Sequence, residues 1–212
     1  MYAIIKYKKY GLMRFLSAIE TSNAIERNIR RAHLPFTLTK GFHQKMKISY
    51  LDPMPTGVIN LALYVRIELQ QIIDKAMQKL RETSVNGLYP EKIWWTDLNP
   101  NRIVTGYEFK ILVPQDCVDL SKYDPEMVLQ VTEKSKSGLI SDFFENIKFD
   151  FQGKFVVIRY LQRRDRLIRS RYLYEPILTR KDCLILVQCT EAFCNDRKLS
   201  ELLEESAWAI EC

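Results

Sequence analysis

Histidine is almost missing from this 212-residue chain. His33 and His43 are the two present, which excludes a His-rich catalytic metal centre. The longest apolar runs are strand-sized, so the sequence offers no segment able to span a membrane and membrane partners are not expected. Glycine and proline are few, seven and eight, which argues against a low-complexity or disordered chain. The five cysteines, Cys117, Cys183, Cys189, Cys194 and Cys212, are odd in number and irregularly spaced. With no CxxC pair among them, the expectation is reduced, buried or incidental thiols and no zinc site. No Walker loop, GxGxxG, GxSxG, HExxH or paired-carboxylate spacing occurs, which counts against a standard hydrolase or nucleotide-dependent enzyme. No cofactor is implied. The N-terminal stretch MYAIIKYKKYG lacks the charged-then-apolar order of a signal peptide, so a cytoplasmic protein is expected.

What is present is an ordinary globular composition with charge gathered at one end. At 47% hydrophobic the chain has enough apolar residues for a core. Ten of its 32 basic residues fall in the first 50 positions, against Glu20 and Glu26, a local balance of +8 in a chain whose total is +6. The remainder is therefore net acidic.

Periodicity gives an outline of the elements. Residues 2–9 read as a strand broken by Gly11. Ser17-Ala18-Ile19-Glu20 has the form of a capping box opening a helix to about Ala32, with Ala18, Ile25, Ile29 and Ala32 on one face and Pro35 as its stop. Phe36 to Lys40 and Ile48 to Leu51 read as short strands around a Gly41-hinged loop, and 52–57, DPMPTG, is turn chemistry. Residues 58–69 alternate strictly and predict a strand. A helix follows at once through Ile72, Ile73, Ala76, Met77 and Leu80, then strands at 88–96 and 103–113. The order strand, helix, strand, strand, helix, strand is that of a ferredoxin-like βαββαβ unit, an antiparallel sheet backed by helices. The expectation is an α+β protein with a ferredoxin-like basic domain over 1–115 and a second, smaller α+β domain over 116–212. Within the latter, 124–133 and 138–146 read as short helices, 154–161 as a strand, 182–190 as a buried strand, 197–206 as an acidic helix and 207–212 as a last strand.

The elements Arg14-Phe15-Leu16-Ser17, Arg27 with Arg30-Arg31-Ala32, Leu34-Pro35, Gly41-Phe42, Lys47-Ile48-Ser49 and Pro53 to Gly57 occur in an order and spacing that resembles the radical-SAM-linked protein family, across about the first 115 residues. That family has no assigned activity. Its members stand beside, or fused behind, a radical SAM protein, often near genes for a ribonuclease and ribosomal components. The resemblance therefore implies a radical SAM protein as partner. The chain departs from the family where Ala18-Ile19-Glu20 replaces a His and an Asp, and where His43-Gln44-Lys45-Met46 replaces a proline-rich run. The radical SAM cluster motif is missing, so the chain is not that enzyme.

Candidate functional residues follow from the charge. Arg27, Arg30 and Arg31 cluster at i, i+3, i+4 near a helix C-terminus, and the Arg fork suits phosphate. Arg14, Lys40, Lys45 and Lys47 extend the basic surface, with Phe42 and His43 placed to touch a base. Arg163, Arg164 and Arg166 could add a second run in a turn, which either joins the first patch or pairs with the acidic C-terminal helix. Trp94, Trp95 and Tyr89 are candidates for base stacking, although adjacent Trp residues in a strand face opposite sides. These residues point to an RNA-binding protein, with tRNA or rRNA as the RNA, serving a separate radical SAM enzyme. Two alternatives stay open: a metal-independent endoribonuclease using His43 as general acid or base, and a non-catalytic protein-interaction module docking through its acidic helix.

Overall fold

The structure is a computed structural model and describes residues 1–131 and 136–208. In chain order its elements are β1 (Tyr2–Lys9), α1 (Ala18–Arg31), β2 (Ile48–Tyr50), β3 (Ile59–Glu68), α2 (Ala76–Thr83), β4 (Leu88–Trp95), α3 (Pro100–Ile103), β5 (Gly106–Pro114), β6 (Val128–Val131), β7 (Lys136–Leu139), α4 (Ile140–Phe143), β8 (Glu145–Gln152), β9 (Phe155–Arg163), α5 (Arg171–Tyr174), β10 (Leu186–Cys194), β11 (Arg197–Lys198) and α6 (Leu199–Ser206). Among the described residues, nine strands form one sheet with the path β4-β1-β3-β10-β5-β9-β8, to which β2 adds beside β3 and β11 beside β10. The β10–β3 pairing is parallel and the others are antiparallel.

The protein is thus α+β with a large, mostly antiparallel sheet, within which the first four strands stand in the order β4-β1-β3-β2, each pair antiparallel. Here β1 runs antiparallel to both β3 and β4. β10, from the C-terminal half, inserts between β3 and β5, so one sheet crosses the 115/116 position.

The alternation of β1 explains the layering. Ala3, Ile5 and Tyr7 face Ile25, Ile29, Ala76 and Leu80, so α1 and α2 cover this side. Ile4 faces the opposite side, where it joins Tyr64, Trp94, Tyr107, Phe109 and the α6 residues Leu199 and Leu203. Trp94 and Trp95 fall in these two different clusters, at 3% and 7% exposure. Both are core residues, which removes them as base-stacking platforms. A buried polar tie fixes the helices: Tyr7 Oη donates to Asn28 Oδ1 at 2.9 Å, and Asn28 Nδ2 donates to Leu80 O at 2.9 Å and Thr83 Oγ1 at 3.0 Å.

α1 opens as the sequence predicts. The Ser17 hydroxyl accepts from Glu20 N–H at 3.2 Å and Glu20 Oε2 accepts from Ser17 N–H at 2.8 Å. This second bond holds the Glu20 carboxyl below its ordinary value. Ser17→Ala is expected to lower stability by about 1 kcal/mol in urea denaturation. An unchanged midpoint would show that the cap contributes nothing. The helix ends before Pro35 acts. His33 takes a left-handed φ of 52°, its N–H reaches Arg30 O, and Leu34 N–H reaches Ile29 O, the two bonds of a Schellman close. The buried face is Thr21, Ile25, Asn28 and Ile29, continued by Ala32, and the expected member Ala18 is exposed.

Other expectations shift for local reasons. The second helix begins at Ala76, because Gln70 N–H is tied to Pro35 O and Lys75 is left-handed. The helices expected over 124–133 and 138–146 are mostly strand. Val128–Val131 pairs with Lys136–Leu139, a single helical turn covers 140–143, and 145–152 joins β9. Ile147, Phe149 and Phe151 carry a period of two that a helix reading overlooks. Residues 132–135 of that reading lie outside the described residues. β10 starts at Leu186 instead of 182. Residues 207 and 208 are not strand, and 209–212, with Cys212, lie outside the described residues. Contrary to the reduced state expected of the thiols, Cys117 and Cys183 form a disulfide, while Cys189 and Cys194 are free. No helix among the described residues is long and apolar enough to cross a membrane.

Candidate nucleic-acid interface

The basic surface is built by α1 and the hairpin-like segment that follows it. Burying Ile25, Asn28 and Ile29 turns Arg27, Arg30 and Arg31 outward, and all three are exposed. Arg30 lies over the Phe36 ring at 4.9 Å, where the chain leaves α1. Phe36 bridges Leu69, and beyond it Thr37 and Lys47, then Thr39 and Lys45, close a two-armed loop through Lys47 N–H to Thr37 O and Thr39 N–H to Lys45 O, each 2.8 Å. Lys40, Phe42, His43 and Lys45 stand exposed at or beside its tip. Phe42 is 97% exposed and meets the His43 ring edge-on at 5.0 Å. The loop therefore carries cations and an unsheltered aromatic away from the body of the protein.

Ion pairing divides the basic residues sharply. Among the described residues, no carboxylate lies within 4.0 Å of Arg27, Arg30, Arg31, Lys40 or Lys45. Lys47 does have a partner: its Nζ donates to Glu68 Oε1 at 3.0 Å and holds that carboxyl below its ordinary value. Arg14 Nη1 donates to Gly11 O at 3.1 Å and its guanidinium covers the Phe15 ring. The second basic run is paired with acids of the same chain. Arg164 Nε and Nη2 grip Asp52 at 2.6 and 3.2 Å, while Nη1 reaches Asn101 O at 2.7 Å. That grip raises the guanidinium's affinity for its proton. Tyr107 Oη also donates to Asp52, at 2.6 Å. Arg163 pairs with Asp165 at 3.6 Å and Arg166 with Asp142 at 3.8 Å. None of these acids belongs to α6, whose Glu201, Glu204 and Glu205 pair with Lys198, Lys92 and Arg197. The first run thus lies on α1 and the loop after it, and the second at and beyond the end of β9.

A second polar constellation has no counterpart in the sequence reading. Glu191 sits in β10, where the register with β5 shifts between Cys189 and Glu191. Its Oε2 accepts from Lys6 Nζ at 2.9 Å and Ser200 Oγ at 2.8 Å, and its Oε1 from Tyr64 Oη at 2.6 Å and Ala192 N–H at 2.9 Å. Lys6 and Tyr64 are cross-strand neighbours in β1 and β3. Burial first, and then Glu191, push the Tyr64 phenol far above its ordinary value. The one sequence signal for this cluster is a carboxylate within an otherwise uncharged strand. Every acceptor site on it is occupied, and it joins three strands to α6 as an internal anchor.

A large, mostly antiparallel sheet with an unpaired arginine face on its covering helix defines an α+β class of protein and leaves its chemistry open. The chain belongs to a bacterial family described as "Uncharacterized protein conserved in bacteria" (DUF2344), whose model matches residues 3–148. No curated protein matches it.

Proposed function

We propose that this protein binds structured RNA, tRNA or rRNA, through Arg27, Arg30 and Arg31, with Lys40, Lys45 and the exposed Phe42–His43 tip extending the contact. The observation that carries this reading is the absence, among the described residues, of carboxylates around the three α1 arginines, set against the paired arginines elsewhere. An uncompensated cationic face costs repulsion when empty and gains counterion release when a phosphate backbone covers it. Phe42 offers a ring on which an unpaired base can stack. In this reading the protein works in the cytoplasm and presents the RNA to a separate radical SAM enzyme, the partner implied by the resemblance. The endoribonuclease alternative draws less support. His43 has the Phe42 ring as neighbour and, among the described residues, no hydrogen bond to an acid or base.

The test is RNA affinity measured by filter binding across a salt series. Log affinity is expected to fall linearly with log salt, and the Arg27→Ala/Arg30→Ala/Arg31→Ala variant to reduce that slope by about three, roughly one per phosphate contact. A variant with unaltered affinity and slope rejects the interface. Cleavage of the RNA by pure protein, lost in His43→Ala, would favour the nuclease instead.

A further inference from the structure

Lys9, the last residue of β1, is 3% exposed. Its Nζ donates to Leu16 O and Thr21 Oγ1, both at 3.3 Å, which leaves one N–H unassigned. Among the described residues no carboxylate lies within 4.0 Å of it, unlike the other buried lysine, Lys6. Directly across the β1–β3 pairing stands Asn60, 2% exposed. Its Oδ1 accepts from Ala62 N–H at 3.0 Å, and its Nδ2 has no hydrogen-bond partner among the described residues. Both side chains line a cavity of about 330 Å³ between β1, the first turn of α1 and the Asp52–Gly57 loop. Its remaining walls are largely apolar: Ala18, Ile19, Leu51, Pro53, Met54 and Leu63. Ile19 is 73% exposed, so the cavity reaches solvent along the helix.

The chemistry of the occupant follows from what is left over. The hydroxyl protons around the cavity are already turned to backbone carbonyls: Thr21 to Ser17 O, Ser22 to Ile19 O and Tyr50 to Ser22 O. What remains is donors, one ammonium proton and one amide NH₂. A matching ligand supplies acceptors. It also carries negative charge, since a buried cation without a counter-ion is costly. One cation compensates one charge, which suits a carboxylate better than a phosphate dianion. The walls ask for an apolar body. We propose that this cavity binds a small amphipathic carboxylate, its oxygens held by Lys9 Nζ and Asn60 Nδ2 and its apolar part against Ile19, Leu51 and Met54. In the empty protein, burial pushes the Lys9 ammonium below the ordinary lysine value, and an incoming carboxylate opposes that shift. This site is independent of the RNA reading.

Octanoate is the probe, with octanamide as its uncharged match, each followed by calorimetry and thermal melting of the full chain. Octanoate is expected to bind one to one and raise the melting temperature, and octanamide to bind at least tenfold more weakly. Lys9→Met should reduce the preference to less than twofold. Should Lys9→Met fail to fold, Asn60→Asp serves. It keeps an acceptor for Ala62 N–H and sets a carboxylate beside Lys9, so octanoate binding should fall at least tenfold with the melt of the free protein preserved. In wild type, titration of ¹⁵N-labelled Lys9 Nζ should move upward on adding octanoate. No binding of octanoate at millimolar concentration, equal binding of octanoate and octanamide, or undiminished binding by Asn60→Asp overturns the proposal.

Discussion

Replacing Glu191 with Ala is expected to destabilise the fold by about 3 kcal/mol, the lower end of the cost of removing one partner from a buried ion pair. Glu191 and Lys6 are 7% and 9% exposed. The substitution takes away the acceptor of Lys6, Tyr64, Ser200 and the Ala192 N–H together, and Tyr64 and Ala192 are fully buried. Lys6 is not wholly abandoned: Glu91 Oε2 lies 3.7 Å away and is partly exposed. That residual attraction sets the lower end of the range. The loss reaches α6 as well, because Ser200 is one of that helix's hydrogen-bonded contacts with the sheet, beside Glu204 on Lys92 and the packing of Leu199 and Leu203. Urea denaturation measures the effect. The double variant Lys6→Met/Glu191→Leu removes both charges and should recover most of the stability, since well-packed apolar residues often equal or exceed a buried pair. A Glu191→Ala protein within 1 kcal/mol of wild type would show that the cluster is not an anchor.

The contrast between legible and illegible features follows sequence distance. Elements whose cause lies within a few residues were readable. The Ser17–Glu20 box and the alternation through Leu63, Val65 and Ile67 are set by their own neighbours. Helix readings failed where two periods overlap, as between Val128 and Phe151. Short apolar stretches there fit a helix face or a strand equally, and the pairing of β6 with β7 and of β8 with β9 decided the outcome. Long-range pairing was invisible. Nothing near residue 190 shows that β10 slots between β3 and β5 and so carries one sheet across the 115/116 position. The same limit governed the candidate site. Arg27, Arg30 and Arg31 could be placed on one face from helix geometry alone. Arg164 looked equally available, yet its partner Asp52 is 112 residues away. A charge count records which cations exist and not which are already neutralised.

Reducing the Cys117–Cys183 bridge is expected to lower stability by about 3–4 kcal/mol, the second large effect. The crosslink spans 66 residues, and in the chain-entropy account closing a loop of that length withdraws about 4 kcal/mol of freedom from the unfolded chain. The gain is moderated because the joined segments already hold each other. Thr179 N–H donates to Cys117 O at 3.0 Å, Val118 bridges Leu178, and Arg180 pairs with Asp116 at 2.7 Å. β5 and β10 bring the two cysteines to the same end of the sheet, since Leu112 and Leu186 are register partners. Cys117 is 1% exposed, so a reductant reaches the bridge from the Cys183 side. Urea unfolding with and without dithiothreitol measures the difference, and Cys183→Ser should reproduce the reduced midpoint while Cys194→Ser leaves it unmoved. Coincident oxidised and reduced curves would remove the bridge from the account of stability. The result also bears on where the protein works. Disulfides persist in oxidising compartments and are rare in a reducing cytosol. Acid-trapped thiol counts from intact cells therefore report directly on the cytoplasmic placement: reduced Cys117 and Cys183 agree with it, and a retained bridge argues for an oxidising one.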